Sequence, residues 1–203
     1  YESINVQGTR NLISSAANAG ATRFIYTSSP SVIFDGSDMI DADETRPLAH
    51  SFLCGYPRSK AIAETDVLGA NGSHGLATVA LRPHLIWGPR DNHLLPRLIQ
   101  RARQGRLRQV GNGRNVISIT YVENAAAAHV QAADLLDLDA PHAGKAYFIN
   151  EPESVNLWDW TNTLLKMAGL APVSRSISAG NARRLGAGME LLWRILRLKT
   201  EPP

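Results

Sequence analysis

The residues best placed to do acid–base chemistry are Tyr56 and Lys60, in the stretch "YPRSK". A four-residue separation on a helix puts both side chains on one face, one turn apart. A free phenol, with a pKa of roughly 10, is a poor base at neutral pH. An ammonium held close by favours the phenolate and lowers that pKa. A tyrosine so placed passes a proton to or from a hydroxyl or carbonyl oxygen. Upstream lies "RFIYTSSPSVIFDG", where the apolar run Phe24, Ile25, Tyr26 gives way to Thr27, Ser28 and Ser29, and Pro30 ends the strand. A serine hydroxyl aimed at the same oxygen would orient it and share its developing charge. The plainer reading is that these hydroxyls satisfy backbone groups at a turn, that Tyr56 is a half-buried aromatic and that Lys60 is a solvated charge. With five tyrosines and four lysines in the chain, a pair at this spacing also arises by chance. The order of elements favours the catalytic reading: a strand ending in Ser, a long loop, then a helix opening on Tyr and Lys.

The elements that must position these groups follow from hydrophobic periodicity. "YESINVQGTRNLISSAANAG" puts Ile4, Leu12, Ile13 and Ala16 near one face and stops at Gly20, which predicts a helix. "TRFIYTS" predicts a buried strand, and a loop rich in Asp, Gly and Pro follows it. A helix is expected from about Tyr56 to Leu68, a strand at "GLATVALRP" and a helix at "NHLLPRLIQRARQG" ending in Gly105. "NVISITYV" reads as one strand, "ENAAAAHVQAADLL" as a helix, "KAYFIN" as a strand and "LWDWTNTLLKMAGL" as a helix. A last helix is expected over "NARRLGAGMELLWRILRLK". Strands alternating with helices of this length predict βαβ units, a mostly parallel sheet and helices on both faces. Ligands bind such sheets beyond the carboxyl ends of the strands, which is where Thr27, Ser28 and Ser29 fall.

Composition narrows the class. The 203 residues suffice for one large domain or a domain with a small lobe, and 44% hydrophobic residues support a real core. A formal charge of +3 is too small to imply nucleic acid, and nucleic acid is not expected as a partner. Cys54 is the single cysteine, so no intrachain disulfide forms. That fits a reducing compartment, and the cytoplasm is expected. No signal-peptide pattern is read in these residues, and no apolar run in them reaches bilayer-spanning length. The chain opens at Tyr1 in what reads as the middle of a domain, and a fragment of a longer protein is expected.

Four stretches, in order, resemble the extended short-chain dehydrogenase/reductase superfamily: "NVQGTRNL", "FIYTSSPSV", "YPRSKAIAE" and "LRPHLIWGP". Within it, "YTSS", "SVIFDG", "DADETRP" and "ITYVENAAAAH" resemble the 3β-hydroxysteroid dehydrogenase branch. That branch includes sterol 4-carboxylate dehydrogenases and bacterial 2-alkyl-3-oxoalkanoate reductases. The resemblance implies a Rossmann-like, doubly wound parallel sheet whose N-terminal part is missing, with a small C-terminal substrate-binding lobe. The expected division is 1–90 for the nucleotide-binding half and 91–203 for the lobe with returning Rossmann elements.

The resemblance also assigns roles. Ser29 orients the reacting oxygen, Tyr56 is the acid/base, and Lys60 lowers the Tyr pKa and hydrogen-bonds the nicotinamide ribose. Thr27 is an auxiliary hydroxyl near the cofactor, and Asn5 supports a water near the lysine. Pro83, His84 and Leu85 pack on the nicotinamide, with His84 not expected to be a catalyst. The implied cofactor is NAD or NADP, and no metal is implied. The expected partner is a hydrophobic small molecule, with peripheral membrane association and a homodimer as further expectations. The one run at Gly-x-x-Gly-x-x-Gly spacing, Gly69, Gly72 and Gly75, lies between the helix expected to Leu68 and the strand "GLATVALRP"; it does not lead from a strand into a helix, so this chain alone is expected to bind the dinucleotide poorly.

Two rivals stand beside the alcohol/ketone oxidoreductase. A nucleotide-sugar epimerase or dehydratase shares the Ser/Tyr/Lys set, although a dehydratase normally needs an acidic residue beside the Ser, where Pro30 and Ser31 stand here. A non-catalytic binding or scaffold protein on the same fold is the other. Arg97, Arg101, Arg103, Arg106 and Arg108 read as a solvated helix face, with contact to an anionic substrate group as the alternative. Trp158 and Trp160 are expected in the core. Leu185, Met189, Leu192 and Leu196 form a stripe expected to pack on the domain, since Gly186 and Gly188 weaken an autonomous membrane helix.

Overall fold

The computed structural model describes residues 1–196. The chain opens with a π turn, Glu2–Gln7, that runs straight into α1, Gly8–Asn18. Gly20, at φ +71°, supplies the left-handed residue that ends the helix, and β1 follows at Arg23–Thr27. Ser29 caps a short 3-10 turn, Pro30–Ile33, by accepting the Ser31 N–H. Next come α2 (Gly55–Gly69), β2 (Ala77–Pro83) and β3 (Leu85–Trp87). After α3 (Leu94–Arg103) the short strands β4 (Gln109–Val110), β5 (Val116–Ile117) and β6 (Ile119–Tyr121) lead to α4 (Val122–Leu135). The chain continues through β7 (Lys145–Ile149), β8 (Val155–Asn156), α5 (Leu157–Met167), β9 (Ser176–Ile177) and α6 (Ala179–Ile195).

These elements form two compact units. The first comprises Tyr1–Pro89 and Ser118–Pro152; the second comprises Arg90–Ile117 and the described residues from Glu153 onward.

The first unit is built on a parallel sheet in the order β1-β2-β7. β2 is central and buried along its whole length. That is why its sequence is a continuous run without alternation. The pleat still sorts its side chains. Ala77, Val79 and Leu81 point to the α4 side, where they cluster with Leu136 and pack against Ile25 and Ala132. Burial of a Val or Leu side chain contributes roughly 1.5–3 kcal/mol, so this layer is a main source of stability. The alternate residue Arg82 faces α2 and meets Glu64. A second cluster, Val32, Ile33 and Ala61, docks the turn after Ser29 onto α2, with Met39, Leu48, Phe52 and Phe148 around it. The long loop between them is pinned by side chains. Asp35 accepts from Ser37 and Arg46, Asp43 accepts from Thr45, and Glu44 accepts the Phe148 N–H of β7 at 2.8 Å.

The second unit pairs β4 with β9 in parallel and β5 with β8 in antiparallel fashion. Asn156 caps α5 by accepting from the Trp158 and Asp159 N–H groups. Trp158 is buried, as expected, and its indole donates to Asn115; Trp160 is half-buried.

Three expectations are corrected. "NVISITYV" is two strands: Val116–Ile117 pairs with β8 in the second unit, and Ile119–Tyr121 pairs with β3 in the first. The break at Ser118 is where the chain changes units, and a strand-like run rich in β-branched residues gives no sign of it. Ile4 and Leu12, expected on a packed helix face, are 76% and 62% exposed because no described element covers them. Leu185 and Leu196 are also exposed; the side chain of Leu192 and the expected end of the last helix at Lys199 lie outside the described residues. Among the described residues no helix is long and apolar enough to cross a membrane.

Candidate active site

The parallel register brings the carboxyl ends of β1 and β2 to one edge. Thr27 lies opposite Leu81, and Pro83 lies opposite Ile149. Ser28 and Ser29 therefore leave the sheet beside Arg82 and Pro83. Ser28 is buried, and its N–H donates to Leu81 O at 2.6 Å. Ser29 is half-buried; its Oγ accepts from Ser31 N at 3.2 Å and lies 2.9 Å from Ser31 Oγ.

Tyr56 and Lys60 open α2 as the spacing predicts. The Tyr56 ring is exposed and meets Tyr1 edge-on at 5.6 Å between centroids. Lys60 reaches back to the strand: Nζ donates to Thr27 O at 2.6 Å and sits 4.2 Å from the centroid of the Tyr26 ring. Burial pulls this ammonium down to about 8, and the Glu64 carboxylate one turn further along α2 pulls it back up. Burial likewise pushes the Tyr26 phenol up to about 12, the Thr9 hydroxyl offsetting some of it while Glu64 and Tyr56 add to it. Tyr56, Lys60, Glu64 and Tyr26 thus act on one another within a single neighbourhood.

That neighbourhood is braced from two sides. Asn5, in the π turn before α1, donates to Ser59 Oγ at 3.0 Å, and Ser59 donates to Tyr56 O at 2.8 Å. An Arg58–Glu2 ion pair crosses the same seam. π turns often mark functional sites because the widened turn redirects side chains. On the other side, Glu64 and Arg82 form a buried two-bond pair: Nε to Oε2 at 3.0 Å and Nη2 to Oε1 at 2.5 Å. The guanidinium also lies over the Phe148 ring. This pair ties the helix carrying Tyr56 and Lys60 to the central strand.

The structure gives Thr27 a different surrounding from Tyr56. Strand alternation sends its side chain to the α4 face, where Oγ1 lies 2.8 Å from His129 Nε2. Only its carbonyl meets Lys60. Pro83 closes β2; His84 donates its N–H to Ile149 O, its ring leans on Phe148, and burial lowers its pKa. Leu85, partly exposed, starts β3. Gly88, just beyond β3, has φ +140°, and a Cβ there would fall 2.7 Å from Val122 Cγ1. The arginines from Arg97 to Arg108 have no ion pair with another described residue. Arg97 and Arg101 join Leu94, Leu98 and Leu107 in an open hollow of about 440 Å³ in the second unit.

Sequence reasoning missed Glu64, Arg82 and His129. Glu64 had one signal, its place at the next i+4 step after Tyr56 and Lys60. His129 had another, a single imidazole in an alanine run.

One expectation at this site is directly measurable. Lys60 should titrate near pH 8, well below a free lysine. The unfolded chain then holds a proton that the folded protein loses between about pH 8 and 10.5, so stability rises with pH across that window. Lys60→Met should remove this slope. A titration of isotope-labelled lysine methylene groups with every midpoint at the ordinary value would contradict it.

The 3-beta hydroxysteroid dehydrogenase/isomerase family matches residues 1–178. Among curated proteins, the chain is 48% identical over 206 residues to the 2-alkyl-3-oxoalkanoate reductase of Stenotrophomonas maltophilia, covering 100% of this chain and 62% of that protein. It is 40% identical over 164 residues to the human sterol-4-alpha-carboxylate 3-dehydrogenase, decarboxylating, covering 80% of this chain and 44% of that protein. The chain spans 36–62% of the length of such relatives. Among solved structures, gox2253 superimposes with a TM-score of 0.75 at 28% identity, over 99% of this chain and 59% of that one. The UDP-glucuronic acid 4-epimerase of Bacillus cereus in complex with NAD has a TM-score of 0.68 at 21% identity, over 86% of this chain and 56% of that one, a likeness of fold alone.

Proposed function

The chain belongs to the 3-beta hydroxysteroid dehydrogenase/isomerase family, and from that premise we propose that it carries the catalytic part of an NAD(P)-dependent oxidoreductase. It interconverts a secondary alcohol and a ketone on a hydrophobic substrate, a 3β-hydroxysteroid or sterol or a long-chain β-keto acid. The observation that carries this reading is the Lys60 ammonium. It is seated one turn from Tyr56 and bonded to the strand end two residues before Ser29. Lys60 has three N–H donors, and among the described residues only Thr27 O accepts from it. The remaining donors fit a ribose hydroxyl. Pro83, His84 and Leu85, at the same edge of the sheet, fit a flat ring above them.

A nicotinamide, when bound, supplies or accepts the hydride. In the direction of reduction Tyr56 gives its phenol proton to the carbonyl oxygen. Ser29 holds that oxygen: its Oγ accepts the Ser31 N–H, and with the Ser31 hydroxyl as donor in their mutual contact the Ser29 O–H is left to donate to the substrate. Lys60 steadies the phenolate that remains. In oxidation the same groups act in reverse. The single cysteine supports a cytoplasmic setting.

Two experiments test the reading. Protein from the complete reading frame should oxidise NADH or NADPH in the presence of a ketosteroid or β-keto acid and not with nucleotide sugars; turnover of a nucleotide sugar alone would replace it with the epimerase reading. The 203-residue chain by itself should bind NAD(P) weakly. Dinucleotide pyrophosphate is normally held by the backbone N–H groups of a Gly-rich turn that leads from a strand into a helix; among the described residues the run Gly69, Gly72, Gly75 leads instead from α2 into β2. Tight, low-micromolar binding by calorimetry would mean that the phosphate cradle lies elsewhere.

A further inference from the structure

Thr27 is held from both faces of the sheet. On the α2 face its carbonyl accepts from Lys60 Nζ at 2.6 Å. On the α4 face its hydroxyl meets His129 Nε2 at 2.8 Å, across 102 residues of sequence. The other ring nitrogen, Nδ1, lies 2.7 Å from Ala125 O. A carbonyl only accepts, so Nδ1 carries a proton. In the neutral ring Nε2 is then bare and accepts the Thr27 O–H. β1 makes its ladder with β2 alone among the described residues, so no second described strand fixes its other edge. Thr27 is its last residue, and the chain leaves the sheet at Ser28.

We propose that His129 is a positioning residue for the Tyr56/Lys60 site. By fixing the Thr27 side chain on the far face of the sheet, it keeps the Thr27 carbonyl aimed at Lys60 and the Ser28–Ser29 exit in register. The Thr27 hydroxyl proton is committed to His129, so Thr27 faces the cofactor side through its carbonyl and not as a hydrogen-bond donor. This assignment rests on the oxidoreductase reading for its kinetic consequence. The clamp itself does not depend on that reading.

The test is a double-mutant cycle in protein from the complete reading frame. His129→Ala and Thr27→Val should each lower kcat for ketone reduction about tenfold with little change in KM, the scale of one lost hydrogen bond. The double variant should be no worse than either single one. His129→Gln, whose amide oxygen reaches the Nε2 position, should recover most of the loss, and Thr27→Ser should be close to the parent. Full kcat in folded His129→Ala, or multiplicative losses in the double variant, would overturn the proposal. If no ketone is turned over by the parent, the functional reading fails, and the clamp is decided by the ¹⁵N spectrum of His129. A proton on Nδ1, with an Nε2 resonance that moves on Thr27→Val, supports it. A proton on Nε2 alone, or no response to Thr27→Val, overturns it.

Discussion

Tyr56→Phe, in protein from the complete reading frame, is expected to lower turnover on the order of a hundredfold or more while leaving folding and cofactor affinity nearly intact. A positioned acid or base contributes roughly 10²–10⁴ to a rate, and the substitution removes only the phenol oxygen. The ring stays, and with it the edge-on contact to Tyr1. Among the described residues the Tyr56 hydroxyl has no hydrogen-bond partner, so its loss strands no buried group. The expected signature is therefore a fall in kcat at an unchanged thermal midpoint. Near-normal kcat would mean that another residue is the acid.

The second large effect concerns the support behind the site. Glu64→Gln is expected to destabilise the fold by about 3–5 kcal/mol, as removing one partner of a buried ion pair does. Glu64 and Arg82 are 1% and 6% exposed at their side chains. The substituted amide keeps one hydrogen bond but leaves the Arg82 guanidinium charge uncompensated beside Phe148. Replacing both residues, as Glu64→Leu with Arg82→Met, should cost less than either single change, because the desolvated charges disappear together. Urea denaturation of the single and double variants measures this. A double variant less stable than both singles would show that the pair is net stabilising in its own right.

Much of this was legible in the sequence, for identifiable physical reasons. Tyr56 and Lys60 share a helix, and a four-residue spacing fixes their side by side placement whatever the tertiary fold. β2 reads as a buried strand because both its faces are covered. The partners that come from elsewhere were not legible. Nothing in "ENAAAAHV" says that His129 meets Thr27, because that contact depends on which face of β1 looks toward α4. Glu64 looks like a solvated helix residue until Arg82 is seen to arrive from the central strand. The long loop after Ile33 reads as polar and irregular. Its order comes from Asp35, Asp43 and Glu44 bonding their own loop and β7. Ser118 is a residue in a strand-like run, and only the pairing of its two sides with different neighbours shows that the chain changes units there.

The central claim is that Ser29, Tyr56 and Lys60 act on one substrate oxygen. A crystal structure of the protein from the complete reading frame, with a reduced nicotinamide and a ketone analogue bound, tests it most directly. Expected are the Ser29 and Tyr56 hydroxyls both within about 2.6–3.2 Å of the carbonyl oxygen, with Lys60 bonded to the ribose and still in contact with Thr27 O. A ketone whose oxygen is held by other side chains, with the Ser29 and Tyr56 hydroxyls on opposite faces of the sheet, would contradict it.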